Sequence, residues 1–238
     1  LSLMASAHAL SGMMAIALCA VAALAMLARP GVQVPGGLGP GSLAILVVYF
    51  AGSRLVFFGQ RLAARADTPG PDQAVRMPAH PRLGLAKAAA GFAAAAAVIL
   101  LAAPYLAGAA DELAERGGLG RTFVGTTLVA LTTSLPELVA SIAALRMGAY
   151  DLAIGNAFGS NAFNIAMLGI LDAIQPGPLL SVIAPVNALT AVAVILVTAV
   201  AVAGQLYRVE ARRRLIEPDA LLVAVLVLGA MAMVYHAG

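Results

Sequence analysis

Glu137 is the only acidic residue deep inside any of the long apolar runs of this chain, and Pro136 stands directly before it. A carboxylate in such a run is costly to hold there, so its default reading is a functional site. Thr133 and Ser134 lie four and three residues earlier, a spacing that puts both hydroxyls on the carboxylate's face of a helix. In the next apolar run Asn156, Ser160 and Asn164 recur every fourth residue, a polar stripe on a helix that is otherwise hydrocarbon. Proline has no N–H and its ring crowds the preceding turn, so the helix is expected to bend or open near Ala130 to Thr133. Carbonyls freed there, beside one carboxylate and two hydroxyls, make an all-oxygen site suited to a hard cation such as Ca²⁺ or Na⁺. Irregular backbone at membrane depth is tolerated where it lines a cavity or is buried in protein.

Plainer roles compete for several of these residues. A single Ser or Thr in an apolar helix usually bonds the carbonyl one turn back. Gly155 and Gly159, four apart, are read as helix-packing residues. Asn161 is off the stripe and is expected to bond a neighbouring helix. Asp151 and Asp172 flank the second run as interfacial helix-end residues. His8 and His80 have no carboxylate or cysteine at ligand spacing and read as solvent-facing or interfacial. Cys19 is the single cysteine and lies in an apolar run, which leaves it a packing role. No His pair suits zinc, and no glycine-rich loop suits a phosphate. Hydrolysis through Ser134 and Glu137 lacks a His or Lys base beside the serine.

The elements that position these groups follow from composition. Apolar residues make up 62% of the 238, charged residues only 11%, and the mean hydropathy is +0.96. That is an all-α, polytopic membrane protein. About seven transmembrane helices are expected, near 6–28, 42–60, 84–109, 122–145, 152–171, 181–204 and 220–236, with the last the shortest. Clusters of basic and aromatic residues such as nucleic-acid binders carry are missing, and there is no Trp. Residues 61–83, with four prolines and mixed charge, read as a linker between two membrane parts. Seven spans put the 61–83, 146–151 and 205–218 loops on one side, with nine arginines against three on the other. The positive-inside rule then makes the first set cytoplasmic. The chain opens at Leu1 beside an apolar run without a basic segment, unlike a signal peptide.

Residues 125–164 resemble an α-repeat of the Ca²⁺/cation antiporter superfamily, the sodium/calcium exchanger type. The resemblance rests on two linked motifs, Thr132-Thr133-Ser134-Leu135-Pro136-Glu137 and Gly155-Asn156-Ala157-Phe158-Gly159-Ser160-Asn161-Ala162-Phe163-Asn164. It implies that Glu137 is the repeat's main Ca²⁺ and Na⁺ ligand. Thr133, Ser134, Ser160 and Asn164 would be its oxygen partners, with the Ala130 carbonyl added from the opened turn. Two residues depart from the family pattern. Thr132 replaces the usual glycine, and Asn164 stands where some members carry Asp, which removes one charge.

The resemblance also implies a partial inverted-repeat exchanger fold. Residues 84–238 would be a second exchanger half holding one α-repeat, 61–83 a cytoplasmic linker, and 1–60 the last two helices of the first half. A faint repeat fits this, with His8-Ala9-Leu10-Ser11 aligned on Asn187-Ala188-Leu189-Thr190. The missing N-terminal α-repeat would complete the ion site. The expected function is antiport of Ca²⁺ for Na⁺ in a cell membrane by alternating access, without enzyme activity or any cofactor beyond the transported ions. A Ca²⁺/H⁺ exchanger and a non-transporting fragment are the alternatives. The lipid bilayer is the expected partner, and nucleic acid is not.

Overall fold

Runs of Ala, Leu, Val and Ile punctuated by Gly and Pro give helices and no strand among the described residues. The computed structural model describes residues 3–34, 37–66, 84–117, 124–206 and 218–237. Its helices are α1 (Leu3–Ala28), α2 (Pro40–Ala66), α3 (Leu85–Arg116), α4 (Ala130–Thr133), α5 (Leu135–Arg146), α6 (Tyr150–Asp172), α7 (Leu179–Val182), α8 (Val186–Leu206) and α9 (Pro218–Ala237). A π-helical turn, Gly125–Val129, leads into α4.

The chain is an all-α polytopic membrane protein. Among the described residues four helical stretches are long and apolar enough to cross a bilayer: Ser6–Ala28, Pro40–Leu62, Leu85–Arg116 and Val186–Leu206. The α4–α5 pair, bent by 47°, makes a fifth if taken as one span. About seven were expected, and two further helices stand where the remaining spans were read but fall just short by composition or length. Helix α6 has the length, at 23 residues, but Asn156, Asn161 and Asn164 dilute its apolar character. In α9 the apolar part, Ala220–His236, falls short of a full span.

Boundaries shift as well. Helix α2 runs on to Ala66, past the expected linker start at 61. Helix α3 passes through Pro104 to Arg116 and takes in Asp111, Glu112 and Glu115. Arg116 pairs with Glu112 one turn back at 2.6 Å. The span expected from 181 is interrupted, with α7 ending at Val182 and α8 starting at Val186 just after Pro185. Most of the 61–83 linker and the Arg212–Arg214 run lie outside the described residues.

The core is built around α1, which packs on α2, α6, α7 and α8. Ala15, Leu18, Ala22 and Met26 of α1 meet Ile45 of α2, Ala162 of α6, Leu180 of α7, and Ala188 and Ala191 of α8. Half of the most apolar window of α1 is buried, against none of the corresponding window of α3. Small residues set this closeness. A Cβ on Gly169 of α6 would stand 2.8 Å from Leu46 Cγ and 3.1 Å from the Ser42 carbonyl of α2. A Cβ on Gly41 would stand 2.4 Å from that of Ala25. Gly155 and Gly159, expected as the packing glycines, have open space around them. Their spacing was a local cue, whereas the contact belongs to the other end of α6.

Helix α6 is fastened to the α1–α2 hairpin at both ends. Asp151 in its first turn accepts from His8 of α1, with Nε2 to Oδ1 at 3.0 Å, and His8 is buried. The expectation of a histidine without a carboxylate partner fails because its partner is 143 residues away. Asp172 stands at the helix end as expected, and it is fully buried in the protein. Its Oδ2 accepts the Gly39 N–H from the loop before α2, and its Oδ1 accepts the Leu179 N–H that opens α7.

Candidate functional site

Glu137 stands in the first turn of α5, immediately after the break. Local bonding explains why the helix bends where it does. Thr132 donates its hydroxyl to the Leu128 carbonyl at 2.8 Å, and Thr133 donates to the Val129 carbonyl at 2.9 Å. Hydroxyls that bond one turn back bend helices. Pro136 then withholds the N–H that the Thr132 carbonyl would take in a continuous α-helix. Ser134 sits at the junction, and its N–H reaches both the Ala130 and Thr132 carbonyls. The break therefore falls at Ser134, just past the stretch expected to open.

This geometry changes the expected role of Ala130. Its carbonyl is not left bare, since it accepts the Ser134 N–H at 2.9 Å and the Thr133 hydroxyl at 3.2 Å. The carbonyl deprived of its helical donor is that of Thr132. Thr133 and Ser134 are exposed on the α4 side of the bend.

On the other motif helix, Asn156 reaches across to α5. Its Nδ2 donates to the Glu137 backbone carbonyl at 3.1 Å and to Ser141 Oγ at 3.0 Å. The polar stripe is thereby brought to the level of the carboxylate. Ser160, one turn along, donates to its own Ala157 carbonyl at 3.4 Å. Asn164, a turn further, is exposed. Glu137 Oε2 is enclosed yet has no hydrogen-bond partner among the described residues. An enclosed carboxylate oxygen without a donor is an unsatisfied acceptor. Among the described residues no three His, Cys, Asp or Glu side chains cluster as a metal site. Among the described residues this position offers one carboxylate and neutral oxygens, a donor set of the hard-cation type.

Asn156 and Ser141 are the pair that sequence reasoning missed as a unit. Ser141 lies one turn after Glu137 on the same face, which was a usable signal. The Asn156→Ala substitution removes both cross-helix bonds and is expected to destabilise the protein by about 1–2 kcal/mol. Thermal unfolding in detergent reads this directly, and an unchanged midpoint would show the staple to be unimportant.

The family described as sodium/calcium exchanger protein matches residues 87–235. The chain is 44% identical over 72 residues to sodium/calcium exchanger MaX1 of Methanosarcina acetivorans, covering 30% of this chain and 21% of that protein. It is 34% identical over 137 residues to the inner membrane protein YrbG of Escherichia coli, covering 56% of this chain and 42% of that protein. Against sodium/potassium/calcium exchanger 1 of Mus musculus it is 31% identical over 80 residues, which is 30% of this chain and 7% of that protein. The chain thus spans less than half the length of each of these relatives. No solved structure matches it.

Proposed function

Because this chain belongs to the sodium/calcium exchanger family, we propose that it forms part of a secondary antiporter that exchanges Ca²⁺ for Na⁺ by alternating access. The observation that carries the reading is the enclosed Oε2 of Glu137, unpartnered among the described residues, beside a broken helix that is joined to the Asn156–Asn164 stripe. Glu137 supplies the charge, and Thr133, Ser134, Ser160 and Asn164 supply neutral oxygens. The Ala130 carbonyl joins them by exchanging its two present donors for the ion. In this reading residues 84–238 are the second half of the exchanger. Residues 1–60 are the closing helices of the first half, and a matching motif pair from that half closes the site. The packing of α1 on α8 supports it, since these are the helices aligned by the faint repeat of His8 on Asn187. The arginines of the 61–83 and 205–218 loops support a cytoplasmic side for both.

Coupling follows from competition. A divalent and a monovalent ion that share the Glu137 carboxylate compete for it, so each displaces the other, and a filled site hides the charge during reorientation. The test is ion flux in vesicles containing the intact protein. Calcium uptake is expected to require an opposing Na⁺ gradient and to be absent when a pH gradient replaces it. Uptake driven by the pH gradient in Na⁺-free buffer assigns the coupling ion as H⁺. Uptake driven by neither gradient rejects antiport.

A further inference from the structure

The outward side of α2 carries a feature that ion exchange does not use. Its packed side is fixed by Ile45 in the core, Gly52 beside Met14, and Gly59 near Leu10. Arg54, Phe57, Phe58 and Arg61 fall at helical spacing on the opposite side, and all four are exposed. The Arg54 guanidinium lies over the Phe58 ring at 5.2 Å, and that of Arg61 lies over the Phe57 ring at 4.2 Å. Arg54 therefore reaches toward the carboxyl end of the helix while Arg61 folds back, so both cations turn to the level of the two rings. The rings themselves meet edge to face at 6.0 Å.

Arg54 lies about two turns, ~12 Å, inside the end of the apolar window Pro40–Leu62. A guanidinium at that depth needs an anion or a path to the headgroups. Neither arginine has a carboxylate partner among the described residues. We propose that Arg54 and Arg61, on the platform of Phe57 and Phe58, bind the phosphate of an anionic phospholipid in the leaflet at the carboxyl end of α2. The guanidinium geometry suits bidentate phosphate contact, and the exposed rings suit the first carbons of the acyl chains. Charge complementarity selects this occupant, because two exposed cations held on an apolar helix face match a headgroup phosphate above acyl chains.

The experiment follows the unfolding midpoint of the intact protein in neutral detergent as lipid is added. Phosphatidylglycerol is expected to raise it by roughly 5 °C, whereas phosphatidylcholine and inorganic phosphate do not. The R54Q/R61Q double variant should lose the part of the rise specific to phosphatidylglycerol, and R54K/R61K should keep a fraction of it. An equal rise in the double variant overturns the site. So does a rise produced as well by inorganic phosphate, which would make it a free-anion site. No lipid-specific rise in the unmodified protein also overturns it. Should the double variant fail to fold, Arg61→Gln alone decides, and an unchanged rise there is equally fatal.

Discussion

Glu137→Gln is expected to bring exchange down to background while leaving the protein as stable as before, or slightly more so. The two halves of that result have one cause. In the described structure Oε2 is enclosed without a donor, so the amide loses no hydrogen bond there that the carboxylate had. The charge itself is a burden to the folded protein, because ionised groups at membrane depth are costly. What the substitution removes is the one formal charge that the described residues bring to the proposed ion site. Neutral oxygens alone cannot compensate for stripping water from a divalent cation. A loss of at least ~100-fold in ion affinity, about 2.8 kcal/mol, is the expected scale.

Two measurements on the same preparation separate the possibilities. Flux in vesicles reads the site, and the unfolding midpoint reads the fold. Lost flux with a retained midpoint is the signature of a ligand. Lost flux with a lower midpoint would mean that Glu137 holds the bend together, and retained flux would remove it from the ion path altogether. Glu137→Asp refines the result. It keeps the charge but withdraws it by one methylene, so half-saturating Ca²⁺ should rise while transport at saturation persists.

What could be read from the sequence was what depends on neighbours along the chain. Glu137 after Pro136, with hydroxyls one turn back, announces a polar break in an apolar helix, and the 47° bend lies one residue beyond the expected stretch. The stripe Asn156–Ser160–Asn164 is equally local. The features that escaped depend on partners distant in sequence. His8 finds Asp151 only once α1 and α6 lie side by side. The packing glycine of α6 is Gly169 rather than Gly155 or Gly159, because Leu46 and Ser42 of α2 decide which turn comes close. Ala130 shows a subtler gap. Opening a helix does not strip every carbonyl in the turn, since Ser134 and Thr133 re-bond this one locally. Periodicity identifies faces, but it does not say which end of a face meets a neighbour.

Asp172 carries the second large effect, and here stability is what should fall. The residue is fully buried, and its two oxygens take the Gly39 and Leu179 N–H groups, so three segments meet on one side chain. Asp172→Ala leaves both N–H groups enclosed without an acceptor. Each orphaned group costs about 1–3 kcal/mol, which puts the total near 4 kcal/mol. For a chain of this size that is an unfolding midpoint lower by roughly 10 °C. Asp172→Asn should fall between, because its carbonyl oxygen serves one N–H while its NH₂ opposes the other. Gly39→Ala offers an independent approach, since its Cβ would stand 3.3 Å from Asp172 Oδ2 and 3.1 Å from Pro178 Cβ. That crowding loosens the clasp without deleting the carboxylate. The expected order of midpoints is unmodified protein, then Gly39→Ala, then Asp172→Asn, then Asp172→Ala. Because the clasp holds the carboxyl end of α6 to the α1–α2 hairpin, the milder variants should also raise half-saturating Ca²⁺. An alanine variant that unfolds with the unmodified protein would mean that the two N–H groups find water or other acceptors, and that the hairpin holds α6 by apolar packing alone.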